Sequence, residues 1–265
     1  MAVARALARP KWTPARASTH VRPPVVAIQA AAACAWIVYA AILATSRPTT
    51  AAVRAPVWWC MPGMTLSRAG AASPLATIAA ALPMWSLMAA AMTLPTAMPA
   101  TQHVAVNSFQ RRQWAAVAEF AAVYLGVWLV FGIAGTAALA LLPSASPHTV
   151  FAFVLTLAAA YQLTPLKRRA LNRCHRSSPL RPRGTRAVTT VARFAWINGS
   201  GCVGSCWAAM LVMLVAPTAR FGCALGLTAA MAYEKLTRRP RRGSRQVAWV
   251  FAVSAVAAAI GVIFT

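Results

Sequence analysis

Seven long apolar stretches, separated by short segments whose charged residues are almost all basic, constrain this chain more than any other feature. They lie at about 25–46, 75–95, 115–142, 148–166, 199–217, 219–236 and 247–264. A helix needs about 20 predominantly apolar residues to cross the hydrocarbon core of a bilayer. Each stretch is close to that length, the last three at the short end. The expected fold class is therefore all-α, a polytopic transmembrane helix bundle of seven spans over residues 25–265. A basic arm at 1–24, rich in Ala, Arg and Pro, precedes it and is expected to stay disordered against anionic headgroups. The first stretch exceeds the 7–15 apolar residues of a secretory signal, so it reads as a membrane anchor.

Charge tests the span count independently. The 265 residues include 26 Lys and Arg against 2 Asp and Glu, a net charge of +24. An ordinary soluble domain carries both signs in comparable numbers, and a nucleic-acid reader sets its basic residues on one face of a foldable core. Here they fall between apolar runs. With seven spans, 22 of the 26 basic residues lie on one side of the membrane and four on the other. Cytoplasmic loops are the ones enriched in Lys and Arg, so the chain is expected to run N-inside and C-outside in the cell membrane. Omitting any internal span reverses every later loop and destroys the asymmetry. The largest cytoplasmic loop is then 167–193, with Arg168, Arg169, Arg173, Arg176, Arg181, Arg183 and Arg186 acting as an orientation signal and lipid-contacting collar.

The acidic inventory bounds the chemistry. Glu119 and Glu234 are the only carboxylate side chains, and there is no Asp. Paired-carboxylate hydrolysis, a Ser-His-Asp triad, two-metal phosphoryl transfer and a calcium cage all need more. No phosphate loop, dinucleotide fingerprint or zincin motif is present either, so the chain is not expected to be an enzyme. Each glutamate lies near a cytoplasmic span end and is expected to pair with Arg111, Arg112 or Lys235. The sharper alternative makes Glu119 part of an ion or solute path.

Sulfur is the distinctive donor. In the second stretch Met84, Met88 and Met92 recur every four residues, and in the fifth Cys202, Cys206 and Met210 do the same. At 3.6 residues per turn each set forms one stripe. The topology makes the two spans antiparallel, which would set Met84 near Met210, Met88 near Cys206 and Met92 near Cys202 if the helices are neighbours. Ala89, Ala90, Gly201, Gly204 and Ser205 are small enough to permit that approach. Thiolate and thioether ligands select Cu(I) over magnesium, calcium or manganese. Cys60, Met61 and Met64, in a Pro-Gly turn beside Trp58 and Trp59, would add a soft cluster at the outer surface. Packing is the plainer account of both stripes, because methionine fills irregular cores and free cysteine behaves as a small hydrophobe. The six cysteines are expected to be largely unpaired. His20, His103, His148 and His175 are scattered, and only His175, beside Cys174, is a secondary metal-transfer candidate. At 161–167, Pro165 marks a helix end and Lys167 can reach the interface.

At these segments the chain resembles the DUF2182 family of predicted metal-binding integral membrane proteins, sometimes described as copper chaperones. The resemblance rests on residues 84–95 with Pro99, on 161–167, Cys174-His175-Arg176, 202–210 and Glu234-Lys235. It implies copper as the metal and departs from the family pattern at Thr93, where a second Met is usual, and at Ser205, where the family has adjacent cysteines. The family's later Met-containing stretch is also weak, around 216–223. These departures imply a reduced ligand set or a lost site. The expected function is binding of Cu(I) and its delivery to a membrane or extracytoplasmic cuproprotein. A transporter and a ligand-free structural subunit are the alternatives.

Overall fold

The computed structural model describes residues 21–45, 74–140, 147–181, 184–215, 220–237 and 240–264. Its regular structure is entirely helical among the described residues: α1 (Pro23–Thr45), α2 (Pro74–Thr93), α3 (Met98–Val106), α4 (Gln113–Ala140), α5 (Pro147–Gln162), α6 (Pro165–Cys174), α7 (Thr185–Val215), α8 (Arg220–Leu236) and α9 (Pro240–Phe264). A helix forms at each of the seven apolar stretches. Four of them, α1, α4, α7 and α9, are long and apolar enough to cross a membrane, and α5 with α6 makes a fifth if that bent pair counts as one span. Of the other two, α2 is a 20-residue helix whose described apolar part is Leu82–Thr93, and the 17-residue α8 carries Arg220, Glu234 and Lys235.

Outward faces are apolar where a water-soluble bundle would be polar. On α9 the exposed side chains include Trp249, Val250, Val253, Val256 and Ile260, one stripe at helical spacing. Exposed apolar area of that extent marks a surface that meets something other than water.

The core is organised around α7, whose apolar window is 67% buried against 22–39% for the other long helices. It packs on α4, α5, α6 and α8, while α2 packs on α1, α4 and α8, and α5 lies along α9. The α2–α7 adjacency drawn from the two sulfur stripes is not a main packing contact: the principal shared neighbours of these helices are α4 and α8. Glycine placement gives the reason. A Cβ on Gly201 would stand 3.1 Å from the Cys174 backbone nitrogen and 3.2 Å from the Ala170 oxygen, and one on Gly204 would meet Ala170 at 3.1 Å. The small residues of α7 thus admit α6, and Gly199 admits α4 beside Val127 and Tyr124.

Two further expectations change. The 167–193 segment is largely not a loop, since α6 occupies its first third and α7 begins at Thr185. Pro165 does end α5, as expected: α6 restarts with proline in its first turn and Thr164 as N-cap, accepting from the Lys167 amide, and the two helices bend by 73°. That bend turns Lys167 inward, so the lysine is buried instead of reaching the interface.

Candidate metal centre

On α2, Met88 and Met92 are buried and Met84 is partly buried, and on α7 Cys202, Cys206 and Met210 are all buried. All six belong to one continuous apolar core. Cys60, Met61 and Met64 lie outside the described residues. Cysteines 34, 174, 202, 206 and 223 are free thiols, as expected.

The centre forms around Cys202. Its sulfur accepts a hydrogen bond from the Lys235 ammonium at 2.9 Å and another from the Tyr124 hydroxyl at 2.9 Å. Lys235 reaches it from the end of α8 and also donates to Thr96 Oγ1 at 2.7 Å, in the single 3-10 turn between α2 and α3. The ammonium thereby ties the end of α2 to the middle of α7. One helical turn on along α7 stands Cys206, buried like Cys202. Ser205 links the rest: its hydroxyl donates to the Cys202 carbonyl at 2.9 Å and lies 3.3 Å from Cys206 Sγ and 3.9 Å from Cys174 Sγ. At the position where the family carries a second thiol, a hydroxyl therefore touches two sulfurs.

Cys174 is fixed at the end of α6 by Asn198, whose amide donates to the Cys174 carbonyl at 2.8 Å while the thiol faces the Asn198 carbonyl at 3.9 Å. Beside it opens a cleft of about 340 Å³ lined by Thr96, His103, Cys174, His175, Asn198 and Lys235 among others. The cleft connects the surface to Lys235 and Cys174, both of which neighbour the buried sulfurs. His175 is held away from a ligand role, since its two ring nitrogens face the Leu171 and Lys235 carbonyls, each at 2.8 Å.

The charged residues sort differently from their sequence neighbours. Glu119 pairs with Arg112 at 3.1 Å, within the expected set. Glu234 does not pair with Lys235. It meets Lys167 at 2.7 Å, both side chains at most 3% exposed, which leaves Lys235 for the sulfur. The reason is helical geometry, because consecutive residues point about 100° apart, so Glu234 and Lys235 face different neighbours. Tyr124, Thr96 and Lys235 were not picked out as site residues by spacing. Lys235 did carry a signal, standing with Glu234 in one of the segments shared with the family.

Among the described residues no three His, Cys, Asp or Glu side chains group in a way that could hold a metal ion. Three or more such ligands are what a structural zinc site takes, and calcium and magnesium take oxygens. The sulfur donors that the core does hold are thiols and thioethers, a class that suits Cu(I).

Fold and site together define a helical protein with membrane-type apolar helices and a buried sulfur centre. Residues 82–258 match the model of the PpoB2 family, described as copper chaperone, and the chain belongs to that family. Neither the curated proteins nor the solved structures give a match.

Proposed function

We propose that this chain is a multi-pass protein of the cell membrane, with seven spans running N-inside to C-outside, that carries Cu(I) as cargo and hands it to a membrane or extracytoplasmic cuproprotein. The observation that carries the reading is the buried Cys202 sulfur accepting from both Lys235 and Tyr124, with Cys206 one turn away. A sulfur that accepts two hydrogen bonds, one from a cation, is arranged as a thiolate, and the thiolate is the form that binds metal. Charge supports this, because Lys167 and Glu234 neutralise each other and the half-buried Lys235 has no carboxylate left to meet. Cys202 supplies the missing negative charge.

In the proposed cycle the cleft beside Cys174 admits the ion, Cys174 passes it inward, and Cys202 and Cys206 hold it with thioether support from Met84, Met88, Met92 and Met210. Lys235 withdraws toward Thr96 as the metal takes its place on the sulfur. Cys60, Met61 and Met64 would serve as the exchange cluster on the outer side. The chain transfers the ion without transforming a substrate, so no enzymatic step is assigned to it.

The test is the copper content of the full chain purified in detergent under reducing, copper-supplemented conditions, read by elemental mass spectrometry. Wild type is expected to carry about one copper per chain, and Cys202→Ser with Cys206→Ser is expected to lose it. Met88→Leu conserves volume and should leave the fold intact while weakening retention. Equal trace copper in wild type and double variant would overturn the reading.

A further inference from the structure

A second, unrelated pocket lies where the bend between α5 and α6 meets the start of α9. It has a volume of about 410 Å³ and is lined by Gln162, Leu163, Arg168, Arg242, Ser244 and Arg245. Three guanidinium groups border it, and the chain cannot neutralise them. The whole sequence holds two carboxylate side chains, and both are committed elsewhere, Glu119 to Arg112 and Glu234 to Lys167. Arg168 leans on the Leu163 and Thr164 carbonyls at 3.5 Å, which is at the limit of a hydrogen bond and leaves donors to spare.

Two buried polar side chains line the same pocket. Ser244 and Gln162 are each 4% exposed, and among the described residues Ser244 Oγ and Gln162 Oε1 have no hydrogen-bond partner. Buried polar groups are paired in nearly all folded proteins, so an orphan calls for a ligand. The Ser244 hydroxyl can donate, and the Gln162 amide can turn its N–H₂ inward because its two ends are interchangeable in shape. Arg242, Ser244 and Arg245 also stand in the first turns of the 25-residue α9, where the helix dipole favours an anion. The pocket therefore offers positive charge, a hydroxyl, an amide and a helix start to one oxyanion.

Its surroundings say which oxyanion. Leu163, in the pocket wall, is 57% exposed, and Leu166 and Trp249 are exposed nearby in the chain on α6 and α9. Apolar surface directly beside a phosphate-sized cationic pocket fits a molecule that has both a phosphate and acyl chains. We propose that this pocket binds the phosphate of an anionic phospholipid, seating the headgroup between Arg168, Arg242 and Arg245 and bracing the bent α5–α6 pair against α9.

Native mass spectrometry of the full chain, released from detergent with added phosphatidylglycerol or phosphatidylcholine, tests this. Wild type is expected to retain phosphatidylglycerol about tenfold better, and Arg242→Gln with Arg245→Gln to cut that retention about tenfold, as for the loss of charge-assisted hydrogen bonds. The charge-matched control Arg181→Gln with Arg186→Gln, on exposed residues at the start of α7 and just before it, should change it less than about twofold. Ser244→Ala removes one orphan without altering charge, so it carries the test if the double variant misfolds, with a loss of about threefold expected. Equal losses in site and control variants, or no preference over phosphatidylcholine, would overturn the proposal in favour of a diffuse basic collar. Displacement of the lipid by inorganic phosphate alone would also overturn it, making free phosphate the ligand.

Discussion

At the scale of single residues, the interior holds one lysine and one glutamate with a second, half-buried lysine beside them, and their pairing decides what the site can do. Lys167 and Glu234 are both nearly fully buried at 2.7 Å. Removing one partner of such a pair strands the other charge in a medium that cannot solvate it, at a cost of about 3–5 kcal/mol. Glu234→Gln should therefore destabilise the detergent-solubilised protein by that amount in denaturant unfolding. Glu119→Gln, whose pair with Arg112 is 20–24% exposed, should cost under about 1 kcal/mol. Near-equal effects would mean that the inner pair is reached by water. The same contrast explains a limit of the sequence reading. The residue types near Cys202 and the scarcity of acids could be read from the chain, but which lysine faced which anion depended on helix rotation, and adjacent positions gave the wrong partner for Glu234.

At the scale of elements, glycines decide which helices touch. Gly201 and Gly204 let α6 settle onto α7, carrying Cys174 to within 3.9 Å of Ser205. The Cβ of Gly201→Ala would press on backbone atoms of α6 at 3.1–3.2 Å, which cannot rotate away. Overpacking of this kind costs about 1–3 kcal/mol, and by moving Cys174 it should also slow copper loading. Gly226, on α8, has open space around its missing Cβ, so Gly226→Ala should be neutral or stabilising by about 0.5–1 kcal/mol through helix propensity. Thermal unfolding of the two variants should thus shift in opposite directions, and a shared sign would contradict the packing described for α6. On α4, the Trp85 indole donates to the Trp128 carbonyl at 2.8 Å across the spot where a Gly132 side chain would stand. Hydrophobic length and the Pro165 break were legible because both are local properties. The α6–α7 contact was not, since the small residues of α7 fit any close neighbour and the sequence does not say which helix arrives.

At the scale of the whole molecule, helix length and loop charge give different counts of membrane crossings, and the difference is testable. Length and apolarity alone select α1, α4, α7 and α9, with the bent α5–α6 pair as a fifth. Five crossings with an inward N-terminus would send the segment between α6 and α7, with Arg176, Arg181 and Arg183, to the outside, against the usual inward bias of such loops. Counting α2 and α8 as crossings returns that segment to the inside. Of those two helices, the 20-residue α2 packs on α1 and α4, and the shorter, charge-bearing α8 packs on α7 and α9. A partly charged helix can cross where protein and not lipid surrounds its polar groups, and in α8 Glu234 and Lys235 each meet a partner from another helix, Lys167 and Cys202. Loop charge thus favours the seven crossings proposed above. Reporter fusions after Arg181 separate the two counts: a cytoplasmic-only fluorescent reporter should be bright there and alkaline phosphatase inactive. The C-terminus faces out under either odd number, so a fusion at Thr265 should be phosphatase-active and serves as the control. Phosphatase activity at Arg181 would instead establish five crossings. It would also set the end of α6 outside and the start of α9 inside, against their sharing of the pocket lined by Gln162, Arg168, Arg242 and Ser244.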